Sequence, residues 1–144
     1  MRLTHTLKDI MSHDVICCRP GQTLKEAAEL MSHHHIGSIP VVDNDHTLLG
    51  VITDRDMTLR STARGKDGDQ VHVEKCMTRD HLISGTPDMD IHEASRLMSE
   101  HQIRRLPVVD QGKLIGYVAL GDLADRDHYR DEAEAALSGI SSSR

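Results

Sequence analysis

The chain has 144 residues, of which 38% are hydrophobic and 28% charged, and its net charge is −6 at pH 7. This is the composition of a globular protein large enough for one compact domain or for two small halves that share a core. The acidic balance disfavours a general nucleic-acid binder, which needs a basic face to neutralise phosphates. The sequence contains no apolar run of membrane-spanning length and no signal-peptide pattern. We therefore expect a cytoplasmic protein that binds neither nucleic acid nor membrane.

Apolar periodicity and turn residues predict the same order of elements in each half of the chain. A capping box at Thr23 and Glu26 begins the first long helix, and Asp90 with Glu93 begins the second. The first half is predicted to contain a short helix at 6–11, a strand at 15–18, the helix from 24, strands at 39–42 and 48–53, and a helix at 54–61. The second half is predicted to contain a turn at 73–77, a strand at 81–84, the helix to about 101, strands at 106–109 and 114–119, and a helix from about 121.

The two halves are copies of one unit. Residues 23–43 and 90–110 are identical at 11 of 21 positions without a gap, and the match continues in the flanks, where Gly50 corresponds to Gly116. A unit of about 55 residues does not bury its own apolar face, so we expect the two copies to pack as a pair with pseudo-two-fold symmetry. Positions at which the copies differ are therefore the first places to look for function.

The doubled pattern resembles a pair of CBS (cystathionine β-synthase) domains, a Bateman module. Each copy has an M-[ST]-x-D start, a helix that ends in His-x-Ile, an [IL]-P-V-V-D strand and a late aspartate. The resemblance implies an α+β fold of two β-α-β-β-α repeats, with a first CBS domain at 7–62, a linker at 63–72, a second CBS domain at 73–130 and a partly helical tail at 131–144. It also implies adenine nucleotides bound in clefts between the repeats, and two modules paired into a flat disc.

The first copy carries the family's nucleotide signature intact at residues 50–56, Gly-Val-Ile-Thr-Asp-Arg-Asp. The carboxylate of Asp56 can accept hydrogen bonds from both vicinal hydroxyls of a ribose, and the Thr53 hydroxyl can donate to a phosphate. Free backbone N–H groups and the helix dipole would favour the same anion, and Arg55 is a further ligand candidate within the signature. From the residues alone, an equally good interpretation is that Thr53 and Asp54 cap a helix. The resemblance favours ligand contact.

The second copy departs from the signature and reads Gly-Tyr-Val-Ala-Leu-Gly-Asp at residues 116–122. Asp122 preserves the ribose contact, but Ala119 removes the hydroxyl that would reach a phosphate. Arg104 and Arg105 precede the second Pro-Val-Val strand, where the first copy has Gly-Ser. In some members of the family basic residues at this place reach phosphates, a task that suits guanidinium groups. Solvated arginines at a helix end are the alternative.

The resemblance also implies that apolar residues beside these motifs hold the adenine, and that the Thr86 hydroxyl contacts the ribose or phosphate. The residues assigned to the surroundings of the base are Ile16, Ser38, Ile39, Pro40, Leu82, Leu106 and Pro107. As ordinary core residues they would need no ligand, and Thr86 would equally serve as a turn residue before Pro87.

The three cysteines and eleven histidines give little support for a metal or redox site. Cys17 and Cys18 are adjacent in a predicted strand, whose alternate residues face opposite sides, so we expect structural positions. His33, His34 and His35 point about 100° apart on a helix and do not all reach one ion. The sequence has no Cys-x-x-Cys and no His-Glu-x-x-His. We expect no metal site, no required cofactor and no catalytic residues.

The resemblance to CBS pairs implies a stand-alone regulatory module, not an enzyme, that senses AMP, ADP, ATP, NAD or S-adenosylmethionine. Because the two copies occupy nearly the whole chain, any output would go through an unidentified effector protein or a conformational change. We expect a homodimer, since CBS pairs present helical faces to a second module and the tail carries an apolar stripe at Ala133, Ala136, Leu137 and Ile140. The alternative function is a structural or protein-interaction module with empty clefts.

Overall fold

The computed structural model describes residues 5–124, which form an α+β fold, as predicted. The α-helices and strands, in chain order, are α1 (Leu7–Ile10), α2 (Leu24–His34), β1 (Ser38–Val42), β2 (Leu48–Thr53), α3 (Asp54–Arg60), α4 (Ile91–Glu100), β3 (Arg105–Asp110), β4 (Lys113–Ala119) and α5 (Leu120–Ala124). Two short 3-10 helices lie at Thr62–Arg64 and Val73–Lys75. The predicted tail and its apolar stripe lie outside the described residues. Within 5–124, no helix combines the length and apolar character that crossing a bilayer requires.

The structure divides into two compact units that do not follow the order of the chain. One unit is Ile16–Leu82, and the other combines the described part of residues 1–15 with the described residues from Ile83 onward. Each unit has its own aliphatic core, built on one side from a long helix and on the other from an antiparallel hairpin. The hairpins are β1–β2 and β3–β4, and each has an irregularity in its register inside the Pro-Val-Val sequence.

The cap of α2 follows the sequence prediction, whereas α4 begins at the predicted Asp90 without the predicted partner Glu93. Thr23 Oγ1 accepts a hydrogen bond from the Glu26 N–H at 3.2 Å, and the Glu26 carboxylate accepts one from the Thr23 N–H at 3.3 Å. The predicted capping box of α2 is therefore confirmed. Asp90 also caps α4, but its carboxylate accepts from the N–H of His92 at 2.8 Å. Both helices thus begin where a side-chain oxygen satisfies an otherwise unpaired amide.

The prediction of regular strands at 15–18 and 81–84 is wrong, because the first range keeps one parallel bridge and the matching bridge of the second copy lies just after its range. Cys18 bridges Val41, and Gly85 bridges Val108. The ladder stops because its next hydrogen bond toward the N-terminus would need the N–H of Pro40 or Pro107, and proline has none. The same proline in both copies therefore limits the first strand of both copies.

The leading segments, residues 5–12 and 72–78, each pack in the compact unit built around the other copy's hairpin. The Ser12 and Tyr117 backbones exchange hydrogen bonds of 2.9 and 3.0 Å, and Thr78 and Val51 exchange bonds of 2.9 and 3.0 Å. The first leading segment comes before the first copy in the chain, yet its partner strand β4 belongs to the second copy. The second leading segment comes before the second copy, yet its partner strand β2 belongs to the first.

Glycine in the middle of each partner strand makes this close approach possible. A Cβ on Gly50 would lie 2.7 Å from the Thr78 carbonyl oxygen, and one on Gly116 would lie 2.8 Å from the Ser12 carbonyl oxygen. Carbon and oxygen do not approach that closely without a shift of the backbone. The matching glycines of the two copies are therefore explained by the crossing of the leading segments.

We predict that Gly50→Ala lowers the free energy of unfolding by about 1–3 kcal/mol, since overpacking forces the Thr78 backbone away from β2. Urea denaturation followed by circular dichroism measures the change. Gly21→Ala is the matched control, because a Cβ there meets nothing within 4 Å. Equal transition midpoints for the two variants would refute the packing role of Gly50.

Candidate functional site

Thr53 and Asp56 form a reciprocal capping box at the junction of β2 and α3. The Thr53 N–H donates to Asp56 Oδ2 at 3.0 Å, and the Asp56 N–H donates to Thr53 Oγ1 at 3.0 Å. The capping interpretation of this sequence is therefore present in the structure. It does not exclude ligand contact, because each side chain uses only part of its hydrogen-bonding capacity in the cap.

The Asp56 carboxylate is held in place and keeps acceptor capacity. Its side chain is 12% exposed, and Oδ1 lies 3.9 Å from Nε of Arg60. A carboxylate has about four lone-pair positions, of which the Thr53 N–H takes one. Two vicinal hydroxyls can therefore bond to it without breaking the cap. The hydroxyl proton of Thr53 is not needed for the cap, so it can donate to an acceptor on a ligand.

The expected free amides at this helix start are not present. The Asp54 N–H donates to the Gly37 carbonyl at 3.0 Å, the Arg55 N–H donates to Asp54 Oδ1 at 2.8 Å, and the Asp56 N–H donates to Thr53. The expectation that these groups bind an anion is therefore wrong, because side-chain and backbone oxygens of the chain already satisfy them. The Thr53 hydroxyl and the exposed Arg55 guanidinium are left as the donors that this motif offers to a phosphate.

The hairpin register places the start of β1 beside this motif. Ser38 is opposite Thr53, and Ile39 is opposite Ile52. Ser38 is half-buried, whereas Ile39 has no exposed surface and belongs to the core of its unit. Of the two, Ser38 is the one positioned to meet a ligand, and Arg55 is exposed on the first turn of α3.

The second copy repeats the same junction without the hydroxyl. The Ala119 N–H donates to Asp122 Oδ2 at 2.9 Å, which matches the Thr53–Asp56 contact. Arg105 is opposite Ala119 in the register of the second hairpin. Its guanidinium carbon lies 5.1 Å from the centre of the Tyr117 ring, a cation–π distance. Arg104 is exposed. The two arginines therefore differ, since one packs on a ring and the other faces solvent.

The other predicted ligand residues fall into three environments. Leu106 and Pro107 are buried in the second hairpin, whereas Ile16, Pro40 and Leu82 are half-buried. Thr86 is exposed, and its carbonyl accepts from the Met89 N–H at 3.1 Å, so it lies in a turn. Two open surface depressions lie along α2 and α3, and neither is lined by Thr53 or Asp56, although Arg55 lines the one along α3.

Arg60 is a residue of this site that the sequence motif did not bring to attention. Its Nη1 donates to the carbonyls of Cys76 and Met77 at 3.0 and 3.2 Å, while Nε faces Asp56. The signal that could have found it is a spacing of four residues between aspartate and arginine, which puts both on one helix face. The spacing recurs at Asp122 and Arg126, the latter outside the described residues.

Two segments of the sequence, residues 7–61 and 73–129, match the family model described as CBS domain. The chain belongs to the CBS domain family. It is 49% identical to the CBS domain-containing protein YhcV of Bacillus subtilis over 94% of this chain and 95% of that protein.

Solved CBS structures share the fold and include complexes with adenosine compounds. The CBS domain pair of protein MJ0100, in complex with 5′-methylthioadenosine and S-adenosyl-L-methionine, has a TM-score of 0.72 and 29% identity over 85% of this chain and 94% of that one. The structure of CBSX2 in complex with AMP also has a TM-score of 0.72 and 29% identity, over 84% of this chain and 94% of that one.

Metal and thiol chemistry has a weak basis in the described residues. The crystal structure of Hypoxic Response Protein I with two coordinated zinc ions is similar to this chain, with a TM-score of 0.75 and 33% identity over 84% of this chain and 98% of that one. Between residues 5 and 124, this chain forms no group of three or more His, Cys, Asp or Glu that could hold an ion. Burial raises the pKa of the Cys18 thiol to about 12 and also raises that of Cys17. Both thiols are therefore protonated near neutral pH and are poor nucleophiles.

Proposed function

We propose that this CBS pair is a cytoplasmic regulatory module, without catalytic activity, whose first copy binds an adenine-containing ligand through Asp56. The observation that carries the proposal is a carboxylate fixed by its own helix cap, with unused acceptor positions, beside a hydroxyl with an unused proton. The complexes of similar CBS pairs with AMP, 5′-methylthioadenosine and S-adenosyl-L-methionine support an adenosine group as the common part of the ligand.

The chemistry of the contact follows from what adenosine compounds share. Every such ligand carries a ribose whose vicinal hydroxyls pair with one carboxylate, and hydrogen bonds to a charged acceptor are the stronger kind. The phosphate or sulfur group at the other end of the ribose differs from ligand to ligand. Asp56 therefore supplies recognition of the nucleoside, and Thr53 supplies preference for an acceptor beyond it.

The two copies should bind unequally. Asp122 retains the carboxylate, but Ala119 has no hydroxyl to donate. Arg104 is an exposed cation next to the second hairpin and can offset that loss, whereas Arg105 would first have to leave the ring of Tyr117. The first copy therefore binds a phosphate more strongly where the Thr53 hydroxyl makes the contact, since the second copy has Ala119 at the same place.

The alternative is a structural or protein-interaction module with no small ligand. Two observations favour it: Ala119 lacks the hydroxyl, and capping of α3 already gives Thr53 and Asp56 a structural role. A thermal-shift screen with AMP, ADP, ATP, NAD and S-adenosylmethionine separates the two functions. A ligand that binds only the folded protein raises the melting temperature in a concentration-dependent way. No shift with any of the five would support the interaction module.

We predict that Asp56→Ala weakens binding of the best ligand by roughly 10- to 150-fold, the cost of losing hydrogen bonds to a charged group. Isothermal titration calorimetry measures the affinity. Asp88→Ala is the matched control, because that carboxylate is 86% exposed and pairs only with Lys8 at 3.8 Å among the described contacts. The assignment of Asp56 fails if both variants bind as the wild type does.

We predict that Thr53→Ala weakens AMP binding by roughly 10- to 150-fold and leaves adenosine binding nearly unchanged. The substitution removes the helix cap for both ligands, but it removes a phosphate contact only for AMP. Thr53→Ser keeps the hydroxyl and should bind AMP as the wild type does. An equal loss for AMP and adenosine would mean that the Thr53 hydroxyl serves the cap alone.

We also propose a homodimer, in line with the pairing of helical faces that CBS modules use. Leu59 on α3 supports it, because it is the large hydrophobic residue that stands 48% exposed on the described surface. The tail stripe is the second contributor that the sequence suggests. Multi-angle light scattering at micromolar concentration should report a dimer, and a purely monomeric mass would contradict this proposal.

A further inference from the structure

Arg60 joins the candidate ligand carboxylate to the start of the second copy. Its Nε lies 3.9 Å from Asp56 Oδ1, and its Nη1 donates to the carbonyls of Cys76 and Met77. In return, the Cys76 thiol lies 3.8 Å from the Arg60 carbonyl oxygen, in position to donate to it. One side chain on the last turn of α3 therefore contacts both the proposed site and the second leading segment.

The second leading segment is fixed at the strand that precedes the site as well. Cys76 and Met77 are almost fully buried, and Thr78 exchanges two backbone hydrogen bonds with Val51 in β2. β2 ends at Thr53, so the segment is attached both to the strand before the motif and to the helix after it. A change of order at the β2–α3 junction therefore reaches residues 76–78 by two short routes within one compact unit.

We propose that Arg60 is a positioning residue that couples ligand occupancy at Asp56 to the order of residues 76–78. This inference rests on the proposed function of Asp56. The helix cap holds Oδ2 of Asp56, and a ribose bonded to the carboxylate restrains Oδ1 as well. Oδ1 faces the Arg60 guanidinium one helical turn along, and the guanidinium holds the two carbonyls. By thermodynamic reciprocity, loss of the contact with residues 76–78 must also weaken ligand binding.

Arginine suits this role and lysine does not. The guanidinium presents several donors in a fixed fork, so it faces a carboxylate with one nitrogen while another bonds to main-chain oxygens. The ion pair on its own is weak, since the Arg60 side chain is 43% exposed and its Nε is beyond hydrogen-bond distance of the carboxylate. The coupling therefore depends on the bonds to Cys76 and Met77, which anchor the guanidinium beside Asp56.

The first test uses the ligand-free protein, so it does not depend on the proposed function. Hydrogen exchange of the Thr78 amide is measured by NMR in the wild type, Asp56→Asn, Arg60→Met and the double variant. Arg60→Met keeps an unbranched stem and removes the guanidinium, and Asp56→Asn keeps an oxygen for the helix cap. We expect both single variants to speed exchange and the double variant to add little to Arg60→Met, since residues in one network are non-additive. Additive effects, or none, would overturn the inference.

The second test adds AMP as the probe. In the wild type, saturating AMP should slow exchange of the Thr78 amide by about fivefold or more, the lower end of typical coupling between sites. In Arg60→Met, AMP should still bind, with reduced affinity, but should slow exchange at Thr78 less than in the wild type, because only the route through β2 remains. Arg79→Ala is the control, because Arg79 bonds to the Glu74 carbonyl in the same stretch of chain at 3.1 Å, and it should keep the AMP effect.

The outcomes separate the two proposals. If AMP and the other four ligands fail to bind the wild type, the proposed function fails, and with it the ligand-linked role of Arg60, whatever the ligand-free cycle gives. If AMP binds but Thr78 exchange is unchanged in the wild type, the function stands and the coupling is wrong. If Arg60→Met retains the full effect of AMP on Thr78 exchange, the coupling between the ligand and Thr78 runs through β2 alone. Arg60 then has no positioning role.

Discussion

The junction between the hairpin and the following helix is built in both copies on one contact, a carboxylate that accepts a hydrogen bond from the backbone N–H three residues before it. Asp56 does this for Thr53, and Asp122 does it for Ala119. The contact satisfies an amide that the helix would otherwise leave unpaired, and it fixes the carboxylate at the same time. A ligand that bonds to this carboxylate meets a group that has already lost its rotational freedom, so binding costs less conformational entropy.

The start of α3 offers few backbone donors to an anion, because its first amides are already hydrogen-bonded within the chain. In many proteins the first amides of a helix are available to a phosphate. Here α3 satisfies its first three amides with the Gly37 carbonyl, its own Asp54 side chain and the Thr53 hydroxyl. Under the proposed function, selectivity for a phosphate would come from side chains, namely the Thr53 hydroxyl and the Arg55 guanidinium in the first copy and Arg104 in the second. Those are positions at which the copies differ, so the two proposed sites would be unequal for reasons of local chemistry.

The crossing of the leading segments joins the start of each copy to the hairpin of the other copy. A segment that begins one copy in sequence pairs with the hairpin of the other in space, at strands where glycine leaves room for its backbone. The start of the second copy is therefore structurally part of the unit that carries Thr53 and Asp56. This arrangement allows Arg60, which lies beside the candidate site, to bond to the carbonyls of Cys76 and Met77. A division of the sequence into two consecutive copies does not reveal this contact.

Much of this molecule is determined by local sequence. The long helices, both hairpins and the cap of α2 follow from apolar periodicity, turn residues and a Thr-x-x-Glu pattern, all of which act within a few residues of chain. The doubled motif was sufficient to indicate the family, and the departure at Ala119 was visible as a difference between copies. Tertiary structure decided the rest, because those features depend on residues distant in sequence. The missing N–H of Pro40 ends a ladder with the segment around Cys18, the carbonyl of Gly37 occupies an amide of α3, and the guanidinium of Arg60 finds carbonyls sixteen and seventeen residues away. Hydrogen bonds of that kind leave no periodic trace in a sequence, since their partners are chosen by which backbone groups the fold brings within reach.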